Sequence, residues 1–91
     1  MIRLEIDELR KLIDRVDEEI IALLAERKMI AKEIGRVKKN MKIPVADAKR
    51  ENEILENLRK KAGDSGLDEK FIVSIYDAIL KNSRDEQKNN G

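Results

Sequence analysis

The sequence predicts an all-α fold: three helices, one very long and two shorter, joined with a second copy in an intertwined homodimeric helical bundle. Three observations carry that expectation. Apolar residues recur at helical spacing in each long segment. The single proline, Pro44, stands between two such segments and so interrupts neither. The first segment is also longer than the rest of a 91-residue chain can cover. Aromatic residues make up 2% of the chain and charged residues 43%. That describes a helical chain with a lean aliphatic core, for which oligomerisation is a common way to bury enough surface.

The first helix is predicted over about residues 5–41. Its apolar stripe runs through Ile6, Leu9, Ile13, Val16, Ile20, Leu23, Leu24, Ile30, Ile34, Val37 and Met41, and charged residues fill the flanks. At roughly 1.5 Å per residue it extends on the order of 55 Å. A compact chain of this length has a radius of gyration of about 12 Å and a diameter of about 30 Å. The stripe therefore needs another surface, and a second copy is the expected cover. Ile43-Pro44 ends the helix, because the residue before a proline is forced out of the helical region. Pro44-Val45-Ala46 reads as a short extended connector.

Asp47 is read as the N-cap of the second helix, predicted over about residues 47–62 with Ile54, Leu55, Leu58 and Ala62 on its apolar side. Gly63-Asp64-Ser65-Gly66 reads as a loop. The third helix, over about residues 67–87 and capped by Asp68 or Ser65, turns Phe71, Ile72, Ile75, Tyr76, Ile79 and Leu80 to one side. Residues 88–91 are expected to fray. The length fits one domain over residues 1–91.

Composition excludes several classes of chemistry. With no His and no Cys, the usual transition-metal sites, Ser-His or Cys-His nucleophilic pairs and disulfides are ruled out. Four scattered glycines make no phosphate-binding loop, and no metal or cofactor is expected. A net charge of +1 exerts no overall pull towards nucleic acid or membrane. The charged start from Met1 to Arg10 has no signal-peptide core, and no apolar run approaches membrane-spanning length, so a cytoplasmic location is expected.

Polar residues interrupt the apolar stripe of every helix. Arg27 and Lys38 lie on or beside the first stripe, close to three turns apart, and so share a side of the helix at a spacing of roughly 16 Å. Arg10 lies about 25 Å before Arg27 and more than a quarter-turn around the helix. It cannot share a small ligand with Arg27 of its own chain, but in an antiparallel or crossed dimer it can reach the partner's site. Arg50 and Glu51 open the second stripe, and Ser83 and Gln87 close the third. Singly, each has a structural explanation: a salt-bridged or snorkelling arginine, solvated charges near a cap, polar residues at a helix end. Collectively, packed helices would gather them into one pocket of cations, one carboxylate, a hydroxyl and an amide. Such a pocket suits a small polyanion bearing hydroxyl or ether oxygens.

These residues resemble the all-helical chorismate mutases of the intertwined-dimer class. The match covers nearly the whole chain: Leu9-Arg10-Lys11 with Ile13 and Asp17, Leu23-Leu24-Ala25-Glu26-Arg27, Gly35-Arg36-Val37-Lys38, Pro44-Val45-Ala46-Asp47 followed by Arg50-Glu51, and finally Ser83 and Gln87. Ala46 stands where some relatives carry a basic residue. No fused synthase, dehydrogenase or dehydratase sequence accompanies the match, and a stand-alone mutase is expected.

The resemblance implies a reaction and a role for each residue. Chorismate, a dicarboxylate with an ether bridge and a ring hydroxyl, becomes prephenate by an intramolecular Claisen rearrangement needing no nucleophile, metal or obligatory proton transfer. Arg27, with Arg10 from the other chain, would clamp the two carboxylates, and Ser83 would add a hydrogen bond to a carboxylate. Lys38 and Gln87 would donate to the ether oxygen, where charge grows as its C–O bond breaks; these are the catalytic pair. Glu51 would accept from the ring hydroxyl, assisted by the Asp47 backbone N–H, while Arg50 would help set the pocket's charge. Two alternatives stay open: an isochorismate-pyruvate lyase of the same fold, and a non-catalytic helical dimerisation module.

Overall fold

A computed structural model describes the backbone of residues 2–89 and the side chains of residues 5–89. Three helices follow one another, α1 (Ile2–Met41), α2 (Ala48–Asp64) and α3 (Glu69–Lys88), and the described residues contain no strand. The chain is all-α. Helix α1 starts three residues before the sequence expectation, since nothing in Ile2-Arg3-Leu4 breaks a helix. Helix α2 runs on through Gly63 and Asp64, which the sequence reading assigned to a loop. Of the expected frayed end, Lys88 is helical and Asn89 closes α3 by donating its N–H to the Asp85 carbonyl at 3.0 Å; residues 90 and 91 lie outside the described residues.

Two helix ends are built alike from different residues. At the end of α1 the Ile43 N–H returns to the Lys38 carbonyl (2.8 Å) and the Lys42 N–H to the Lys39 carbonyl (3.2 Å). At the end of α2 the Leu67 N–H returns to the Ala62 carbonyl (2.8 Å) and the Gly66 N–H to the Gly63 carbonyl (3.3 Å). Both closures need a left-handed residue just past the helix. Gly66 takes it with φ 73° at little cost, whereas Lys42 takes it with φ 57° and carries a Cβ into it. The opposite ends are capped by carboxylates. Asp47 accepts from the Arg50 N–H, and Asp68 from the Lys70 N–H, each at 3.0 Å.

The chain divides between Ile30 and Ala31 into two compact units. The first is the N-terminal part of α1, where the apolar stripe lies open: Leu9 is 60% exposed and Leu23 63%. Its ion pairs, Arg10–Asp7, Lys11–Glu8 and Arg15–Glu19, are exposed contacts of 3.7–3.9 Å along the same helix. Such pairs contribute about 0.3–0.5 kcal/mol each, too little to order a helix lacking packing on its apolar side.

The second unit packs the end of α1 with α2 and α3. Its buried apolar residues are Ala31, Ala62 and Leu80, with Ile72, Tyr76 and Ile79 half-buried on α3. Small residues let two backbones close up: Gly35 is buried one turn after Ala31, and a Cβ there would stand 2.5–2.9 Å from backbone atoms of Gln87. Phe71, Ile75 and Met41 remain exposed. No helix among the described residues is long and apolar enough to cross a membrane.

Candidate active site

The close approach of Gly35 to α3 decides where the next turn of α1 delivers its side chain. Lys38, half-buried one turn on, extends its ammonium to two acceptors: the Gln87 Oε1 at 2.9 Å and the Val45 carbonyl at 3.1 Å. Because the Lys38 carbonyl already receives the Ile43 N–H, this residue holds the connector after α1 at two points, Ile43 and Val45. An ammonium carries three N–H bonds, so one donor stays available beyond these two partners.

The amide of Gln87 continues the chain of contacts. Its oxygen accepts the hydrogen bond from Lys38, and its nitrogen donates to the Ser83 Oγ, one turn earlier on α3, at a long 3.5 Å. The three half-buried side chains thus form a line of ammonium, amide and hydroxyl along the crossing of α1 and α3. Each can donate a hydrogen bond to an oxygen atom, and the ammonium brings a full positive charge.

Glu51 stands in the first turn of α2, positioned by the Asp47 cap, and meets Arg84 of α3. The Arg84 Nη1 lies 2.6 Å from Oε1 and 2.8 Å from Oε2 of the same carboxylate. Arg84 stands on the same helix as Ser83 and Gln87, three residues before the latter. The remaining expected residues are placed differently. Asp47 is exposed and its carboxylate is committed to the Arg50 N–H. Arg50 is exposed and turns along its own helix to Glu53 at 3.6 Å. Arg10, also exposed, reaches Asp7 at 3.8 Å, while Arg27 is half-buried; both belong to the first unit.

Lys38, Gln87 and Ser83 are therefore brought together, while Glu51 is held to the same helix α3 through Arg84 and Arg50 turns along its own helix. Two participants escaped the sequence reading. Arg84 was hidden among surface charges, although its place three residues before Gln87 puts it on that residue's side of the helix. The signal for Gly35 is its position, since a glycine in the middle of so long a helix answers a packing need.

Fold and site together define a class: a small all-helical chain that lines up an ammonium, an amide and a hydroxyl where two helices cross. Comparison with known proteins narrows it. Residues 9–88 match the family described as Chorismate mutase type II, and the chain belongs to that family. It is 33% identical over 81 residues to a chorismate mutase of Methanocaldococcus jannaschii, covering 89% of this chain and 82% of that one. It is 42% identical over 79 residues to a bifunctional chorismate mutase/prephenate dehydratase of Aquifex aeolicus, covering 84% of this chain and 22% of the relative. Among solved structures, a conserved hypothetical protein from Pyrococcus furiosus superposes with a TM-score of 0.72 at 39% identity, covering 90% of this chain and 93% of that one.

Proposed function

We propose that the chain is a chorismate mutase, converting chorismate to prephenate in the route to phenylalanine and tyrosine. In this rearrangement the ether C–O bond breaks as a C–C bond forms within one molecule. The catalyst has two tasks: holding the enolpyruvyl arm folded over the ring, and stabilising negative charge on the ether oxygen. The observation that carries the reading is the Lys38, Gln87 and Ser83 line. In the proposed complex the Lys38 ammonium and the Gln87 amide N–H turn to the ether oxygen, and they act catalytically because their partner gains charge only in the transition state. Because the Gln87 oxygen accepts from Lys38, the amide N–H is left to donate to another oxygen.

The substrate's carboxylates are assigned to Arg27 and to Arg10 of a second copy, with Ser83 adding a hydroxyl contact. Guanidinium forks fit carboxylates and hold both ends of a flexible molecule. Glu51 accepts from the ring hydroxyl beside the Asp47 N–H, and Arg50 contributes charge only. Sharing of the site between copies is supported by the open apolar stripe of the first unit, which a second copy covers. No cofactor is assigned a part, and a cytoplasmic enzyme is the proposed setting.

One assay tests the reading: chorismate consumption followed spectrophotometrically, with the product identified. Prephenate supports it. Release of pyruvate from isochorismate, without prephenate from chorismate, transfers the chain to lyase chemistry, and no turnover of either leaves a dimerisation module.

A further inference from the structure

We propose that Arg84 is the positioning residue for Glu51, a role that rests on the chorismate mutase reading above. The pair joins α2 to α3 across 33 residues of chain, whereas Arg10–Asp7, Arg15–Glu19 and Arg59–Glu56 each run along one helix. Its side chains are 35% and 27% exposed, more withdrawn from water than those local pairs, so the contact is less screened. A single guanidinium nitrogen sits between both carboxylate oxygens. That arrangement fixes where the carboxylate sits and leaves further lone pairs on each oxygen to accept a substrate hydroxyl.

Charge gives a second reason for the pairing. Glu51 is the carboxylate assigned to a pocket that must accept a dicarboxylate, and unpaired it would repel the substrate. Arg84 cancels that charge while keeping Glu51 an acceptor. Both effects pass through Glu51, so Arg84 acts on substrate affinity more than on the bond-breaking step, which lies at the ether oxygen.

Steady-state kinetics on chorismate of wild type, Arg84→Gln, Arg84→Lys, Glu51→Gln and the double variant Glu51→Gln/Arg84→Gln test this, with helicity and thermal midpoint measured on each. Arg84→Gln is expected to raise KM by about tenfold, the usual scale for a hydrogen bond to a charged group, with kcat changed far less. Arg84→Lys should recover most of that loss. The double variant should be no worse than Glu51→Gln alone, because the residue that Arg84 serves is already gone. An unchanged KM in Arg84→Gln overturns the assignment, as does a loss in the double variant equal to the product of the two single losses. Should Arg84→Gln lose helicity, the double variant, which leaves no unpaired charge, decides on the same criterion. An inactive wild type sinks the proposed function itself; an active wild type with independent losses sinks only the role of Arg84.

Discussion

The Lys38 ammonium lies 2.9 Å from the Gln87 Oε1, across 49 residues of chain. What joins them is a glycine: Gly35, one turn before Lys38, lets the backbone of α1 approach that of Gln87 more closely than any side chain would permit. Lys38 and Gln87 are thus neighbours because of a residue that contributes no functional group.

Replacing the lysine is the sharpest test of its role. Lys38→Ala is expected to lower kcat by about a hundredfold or more, as removing one donor to a developing oxyanion does. Helicity should be retained, because Lys38 is only half-buried and lies close to the end of α1. Full activity in a folded Lys38→Ala protein would contradict a catalytic role.

The pH dependence follows from an amide at position 87. Gln87 does not titrate, so wild-type kcat should change little between pH 5 and pH 8. In Gln87→Glu the new side chain can donate to an ether oxygen only when protonated. Its activity should therefore be greatest at low pH and fall as pH rises and the carboxyl ionises. A flat pH–rate profile for Gln87→Glu, at wild-type rates, would remove Gln87 from the donor pair.

Gly35→Ala should damage stability and activity together. The added methyl meets Gln87 backbone atoms at 2.5–2.9 Å, so α1 and α3 must separate, at a cost of about 1–3 kcal/mol. Thermal unfolding should show a lower midpoint, and kcat should fall as Lys38 and Gln87 move apart. An unchanged midpoint would mean that the two backbones are not held this close.

The paired helix ends predict opposite responses to glycine. Lys42→Gly places glycine where φ is already 57° and should stabilise the fold by about 1 kcal/mol. Gly66→Ala, at φ 73°, should destabilise it by a similar amount of about 1 kcal/mol. Urea unfolding of both variants checks the pair of signs.

Sharing of the site between copies can be tested by complementation. Arg10→Ala and Arg27→Ala homodimers are each expected to be nearly inactive, while subunit exchange should restore activity at one of the two sites of the hybrid. In that hybrid one pocket receives an intact Arg27 from one chain and an intact Arg10 from the other. No recovery after verified exchange would refute the sharing.

Periodicity makes the helices legible in the sequence alone. The all-α class, the proline-bounded connector and the Asp47 cap depend on residues adjacent or nearly adjacent in sequence, and local rules govern such features. Asp64 was misread because Gly63 and Gly66 are turn residues by type, yet only Gly66 adopts a left-handed backbone. The family resemblance was equally readable, since it rests on which residue types fall at which spacings.

Partnership between distant side chains is another matter. The contact of Lys38 with Gln87, the choice of Arg84 by Glu51, and the turning of Arg50 along its own helix to Glu53 depend on how closely and at what rotation the helices pack. By itself the sequence determined three amphipathic helices and the stock of cations, amide and hydroxyl that they carry. Tertiary structure alone decided which of those groups meet, because helical periodicity orders side chains around one axis, whereas contact between helices depends on packing that no single repeat encodes.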